Sequence, residues 1–103
     1  VSTSLQWEMT SAGEYCLTGE LDRNSVPDFW RRRIEWLPKD NDVKLNLSGL
    51  KRVDSAGMAM LLHLQNSLNN NSQQLTLLEL PEQLKVLLTL SNVDNLLTGK
   101  SAA

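Results

Sequence analysis

The feature that most constrains this chain is the way its apolar residues change spacing. Leu5, Trp7 and Met9 alternate with polar residues, Thr10-Ser11-Ala12-Gly13 supplies turn chemistry, and Tyr15, Leu17 and Gly19 resume the period of two. That pattern predicts a β-hairpin. After Glu20-Leu21-Asp22 the spacing becomes helical: Val26, Trp30, Ile34 and Leu37 fall one turn apart, Phe29 widens the stripe, and Pro38 closes it. Asn24 and Ser25 offer an N-cap side chain, with Pro27 in the first turn and Asp28 near the positive helix end. Asp40-Asn41-Asp42 then turns the chain into a second alternating run, Val43, Leu45 and Leu47, which ends at Ser48-Gly49.

Helical spacing returns from Ser55 to about Asn70, where Ala56, Met58, Ala59, Met60, Leu61, Leu62, Leu64 and Leu68 make the segment apolar nearly all round. Such a helix needs cover on more than one side, from the sheet and from some other surface. The polar run from Asn69 to Gln74 connects it to a buried strand, Leu75 to Leu78, and Pro81 begins a last helix containing Leu84, Leu87, Leu88 and Leu90. Asn92 is its expected C-cap, Val93, Leu96 and Leu97 are expected to dock against the sheet, and residues 99–103 to fray. The order β-β-α-β-α-β-α forces strands separated by a helix to run parallel. The expected architecture is therefore α/β: a mixed sheet of about four strands with helices mostly on one face.

The 103 residues are one domain's worth, with the core spanning about residues 5–97 and no separate catalytic domain. Leu fills 21 positions, so the composition is that of a globular chain with a leucine-rich core. A net charge of -2 leaves no basic field to hold a nucleic acid. The single Cys16 cannot form an internal disulfide and lies in an apolar alternation, which fits a reducing cytoplasm. No signal peptide or membrane-spanning run is read in the chain, so work at a membrane would require a partner.

No reaction assembles from the motifs. With only His63 and Cys16, no spacing matches a metal site, and neither a nucleophile elbow nor a glycine-rich phosphate loop occurs, so no cofactor is expected. His63 reads as a helix residue without a catalytic role. Glu20 and Asp22, beside a turn, read as solvated or capping carboxylates rather than as an acid and base. Arg31-Arg32-Arg33 could form a phosphate or headgroup patch, but Asp28 and Glu35 flank it and the helix spreads the charges, which favours a solvated or partner-facing surface. Trp30 with Arg33 could be an interface hot spot, because Trp and Arg dominate interface energies; Trp30 equally could pack in the core.

The segment Val53-Asp54-Ser55-Ala56-Gly57-Met58 carries the most information. Asp54 and Ser55 stand at a helix entrance, and the small pair Ala56-Gly57 keeps the first turn bare. Ser55 either simply caps the helix, or offers an accessible hydroxyl that could accept a phosphoryl group or hydrogen-bond a partner.

Asp54-Ser55-Ala56-Gly57 after an apolar strand, together with Gly19-Glu20-Leu21-Asp22 upstream and the β-β-α-β-α-β-α order, resembles the STAS domain family of anti-sigma factor antagonists and transporter regulatory domains. The resemblance spans about Leu5 to Leu97. Three stretches, residues 17–22, 26–30 and 52–64, are most similar to the small cytoplasmic subunits of ABC transporters that move phospholipids between the two membranes of Gram-negative bacteria. This implies a non-enzymatic subunit at the cytoplasmic face of the inner membrane. It would bind the transporter's ATPase, within a complex that also holds permease and substrate-binding subunits, through Asp54, Ser55, Ala56, Gly57, Met58, Trp30 and Arg33. Transporter members of the family often carry Thr at the place of Ser55, whereas anti-sigma factor antagonists usually carry Ser, which a cognate kinase phosphorylates. Both supply the same hydroxyl, so phosphorylation of Ser55 stands as the alternative.

Overall fold

A computed structural model describes residues 5–91 of the chain. Among them the order is β1 (Leu5–Ser11), β2 (Glu14–Leu21), α1 (Val26–Arg31), α2 (Arg33–Trp36), β3 (Asp42–Asn46), β4 (Leu50–Val53), α3 (Ser55–Asn70), β5 (Gln74–Leu78) and α4 (Glu82–Ser91). Strands β1 and β2 form the expected antiparallel hairpin, and β3, β4 and β5 join in parallel, giving the order β1-β2-β3-β5 with β4 also on β2. Alternation explains which face is covered. Val43, Leu45, Leu75 and Leu77 are buried, while Asp42, Lys44, Gln74 and Thr76 between them are exposed, so the helices cover one face.

The sheet has five strands rather than about four. β2 is long enough to take two partners on one side: β3 pairs with residues 14–16 and β4 with residues 19–21. At Gly19, with φ of 105°, the register slips, in a conformation that suits glycine. β4 escapes a periodicity reading because Lys51 and Arg52 separate its buried Leu50 and Val53 by three positions, breaking the alternation.

The first helix is not continuous to Leu37. It breaks at Arg32, with φ of −94° and ψ of 20°, and the chain resumes as the short α2. The break turns Ile34, expected on the buried stripe, out to 89% exposure. Trp36 takes the inner place, stacked on Phe29 at 4.3 Å and 13°, with Trp7 4.6 Å away and its indole N–H donated to the Phe29 carbonyl at 3.0 Å. No side chain caps α1. The Ser25 hydroxyl instead donates to the Glu20 carbonyl at 2.7 Å.

In α3, Gly57, Met58, Met60, Leu61, Leu64 and Leu68 are buried, and Ala56, Ala59 and Leu62 are partly covered. Leu84 and Leu88 of α4 enter the same core, whereas Leu90, counted with them from the spacing, is 78% exposed. The expectations for Asn92, Val93, Leu96, Leu97 and the chain end fall outside the described residues.

Candidate functional site

The entrance of α3 is built from three segments that meet at the ends of β2 and β4. Asp54 is the N-cap, in extended conformation, and its Oδ1 accepts the Gly57 N–H at 3.1 Å. Its Oδ2 accepts the Arg23 N–H at 3.1 Å, which ties the β2–α1 turn to the helix. Burial alone would raise the Asp54 pKa. The N–H groups of Gly57, Arg23 and Ala56 and the charge of Arg52 outweigh it, so the carboxyl is held below its ordinary 3.8 and stays ionised.

The turn itself is organised by Asp22, which the sequence suggested was solvated or capping. It is 4% exposed. Its Oδ1 accepts the N–H groups of Asn24 and Ser25 at 2.9 and 3.0 Å, and its Oδ2 faces Arg52 Nε at 3.4 Å. A carboxylate this enclosed needs such partners, and having them it fixes the turn against β4. Gln83 of α4 adds a tie that no sequence signal announces, its side-chain oxygen accepting the Val53 N–H at 2.8 Å.

Gly57 is required by close approach. A Cβ there would lie 2.3 Å from the Leu21 carbonyl oxygen and 2.8 Å from Leu21 Cγ, so a side chain would push α3 off the end of β2. Ala56 is half-buried, and Ser55, in the first turn, is exposed with no hydrogen bond from its hydroxyl to the described residues. Asp54 thus does the capping, and the Ser55 hydroxyl is left facing solvent on a rigid mount. Met58, expected at the contact, is 8% exposed and belongs to the core. With Gly57 it shapes the entrance from beneath.

Trp30 is half-buried, which joins its two readings. Its ring packs near Trp36 and His63, at 6.1 and 6.2 Å, while the Arg33 guanidinium covers it at 4.8 Å and donates to the Trp30 carbonyl at 3.0 Å. Arg31 and Arg32 both pair with Asp28. The three arginines are therefore held locally, Arg31 and Arg32 by Asp28 and Arg33 over Trp30, and do not combine into one anion patch. Contacts between α1 and α3 place Trp30 and Ser55 on neighbouring helices. Among the described residues no group of three His, Cys, Asp or Glu could hold a metal ion, and no helix is long and apolar enough to cross a membrane.

Residues 11–98 match the family described as Mlab, STAS domain. The chain belongs to the STAS domain family. Two relatives named intermembrane phospholipid transport system binding protein MlaB, from Escherichia coli (strain K12) and Shigella flexneri, are each 31% identical over 93 residues, covering 90% of this chain and 93% of theirs. The anti-sigma factor antagonist SpoIIAA in its unphosphorylated form has a similar fold, with a TM-score of 0.64 and 21% identity over 86% of this chain and 81% of that one. The STAS resemblance read from Asp54 to Gly57, and the mixed sheet with helices, are thus borne out.

Proposed function

We propose that this chain is a non-enzymatic regulatory and assembly subunit of an ABC transporter that traffics phospholipids between the inner and outer membranes, in support of outer-membrane lipid asymmetry. It docks on the ATPase subunit from the cytoplasmic side through the Asp54-Ser55-Ala56-Gly57 entrance, with Trp30 and Arg33 on the neighbouring α1–α2 segment extending the contact. The observation that carries this reading is the exposed Ser55 hydroxyl on a mount fixed by Asp54 and Gly57. A group so held loses little freedom on binding, which favours recognition. The MlaB relatives, similar over 90% of the chain, supply the transport context.

The test is co-purification with a transporter ATPase. Ser55→Arg and Trp30→Ala are each expected to weaken the complex by about 2 kcal/mol or more. Unchanged complex formation and transport in both variants rejects the docking site.

The solvent-facing hydroxyl also favours a second reading, a partner switch in which a kinase phosphorylates Ser55 and the added charge, close to −2, displaces the partner. Intact mass after incubation with cell extract and ATP separates the two. A Ser55 phosphoform supports the switch, and an unmodified chain in a stable ATPase complex supports the transporter subunit.

A further inference from the structure

Beside Ser55 the surface is concave. Val53, Asp54, Ser55, Glu82, Gln83, Val86 and Leu87 line an open hollow of about 470 Å³ between the α3 entrance and α4. Because the Gln83 side-chain oxygen is committed to the Val53 N–H, the wall is formed mainly by Val53, Val86 and Leu87. Among the described residues the lining charges are the carboxylates of Asp54 and Glu82, with no cation. Along the outer edge, Glu82, Val86 and Leu90 follow one another at single-turn spacing, about 6 Å of rise per step, and Val86 and Leu90 are 48% and 78% exposed. Lys85 and Thr89 line the other flank of this ridge together with Glu82, Val86 and Leu90, outside the hollow.

An apolar floor whose described lining charges are carboxylates selects by both shape and charge. We propose that the hollow and the Val86–Leu90 ridge receive an apolar side chain from a basic, amphipathic segment of the ATPase, so that docking extends from the α3 entrance onto α4. This rests on the transporter-subunit reading and names the chemistry of the partner at that site. A cation beside the inserted apolar group pairs with the exposed Glu82, the Asp54 oxygens being held by Gly57 and Arg23, while Val86 and Leu90 lie against its apolar face.

The experiment measures binding of the intact chain to the purified transporter ATPase with which it co-purifies. Val86→Lys and Glu82→Lys are each expected to weaken it about tenfold or more, and Glu82→Gln to flatten the salt dependence of the wild-type complex. The free Val86→Lys chain should melt within about 2 °C of wild type, since the residue meets solvent there. If Val86→Lys and Glu82→Lys bind like wild type while Ser55→Arg abolishes binding, the extension to α4 is wrong and docking at the entrance stands. If the wild-type chain does not bind the ATPase, both readings fall together. A drop of about 5 °C or more in the free Val86→Lys chain would show that the chain covers this face itself. A wild-type dimer that Val86→Lys dissolves would assign the hollow to a second copy. Either result overturns the proposal.

Discussion

The α3 entrance and the α1–α2 segment lie on neighbouring parts of the fold but are held in different ways. At the entrance, backbone meets buried or half-buried carboxylates: Asp54 joins α3 to the β2–α1 turn, Asp22 joins that turn to Arg52 of β4, and Gly57 lets the helix touch Leu21. In α1–α2 the charged contacts are exposed, with Arg31 and Arg32 sharing Asp28, and the inward side is fixed by Trp36 on Phe29. Directional hydrogen bonds in a low-dielectric setting define a geometry closely. Aromatic packing with exposed ion pairs fixes position more loosely and leaves Ile34 in solvent. On the proposed docking reading the two regions would take different parts: the entrance a preformed anchor, and the broken helix a neighbouring surface that adjusts around Trp30.

The sharpest way to break the contrast is Gly57→Val. Its Cβ would meet backbone, the Leu21 carbonyl oxygen at 2.3 Å, which cannot swing aside as a flexible side chain would. Chemical denaturation should show a loss of about 3 kcal/mol, with ATPase binding lost even at temperatures where the variant remains folded. A loss under about 1 kcal/mol would mean that the entrance gives way easily and is not the rigid element.

Asp54 sharpens the same point on a smaller scale. Asp54→Asn keeps an oxygen to cap Gly57 but gives up the second acceptor that Arg23 uses, and should cost about 1 kcal/mol; Asp54→Ala loses both, at about 2 kcal/mol. The sign with pH follows from the depressed carboxyl. The folded pKa lies below the ordinary 3.8, so the charge-dependent stability is complete above 3.8 and is lost as pH falls through the folded value. Denaturation curves of wild type and Asp54→Asn should therefore converge below pH 3.8 and stay apart near neutrality. Curves separated equally at all pH values would place the effect elsewhere.

These contrasts also show why some of the molecule was legible in sequence and some was not. Val43, Leu45 and Leu47 announce a strand because one face of it is buried, and Asp54-Ser55-Ala56-Gly57 announces a helix entrance because capping and close approach are local demands. The break at Arg32 is not a local demand. Its stripe of Val26, Trp30 and Ile34 is helical in spacing, and only the tertiary stack of Trp7, Phe29 and Trp36 decides that Trp36 turns inward while Ile34 turns out. Asp22 was likewise visible as a turn residue but not as a buried one, since its burial depends on Arg52, thirty positions away, and on a strand whose alternation is broken. The hollow beside Ser55 needs α4 laid against β4, a contact between elements distant in sequence.

The smallest expected effect lies on the looser side of the comparison. Asp28 holds both Arg31 and Arg32, yet the paired side chains are 48–74% exposed, where solvent and salt screen the attraction and ordering two long side chains offsets what remains. Asp28 also stands in the first turn of α1, where a negative charge is favourable. Asp28→Asn should therefore change stability by no more than about 0.5 kcal/mol, and by less still in high salt, as denaturation at two ionic strengths will show. Because freeing the two arginines alters the charge beside Trp30 without moving the Trp36–Phe29 stack, any larger effect should appear in the association rate with the ATPase and leave the melting temperature alone. A loss above about 1 kcal/mol would instead mean that the ion pairs, and not the aromatic stack, hold α1 in place, and the distinction between the two regions would then be one of degree.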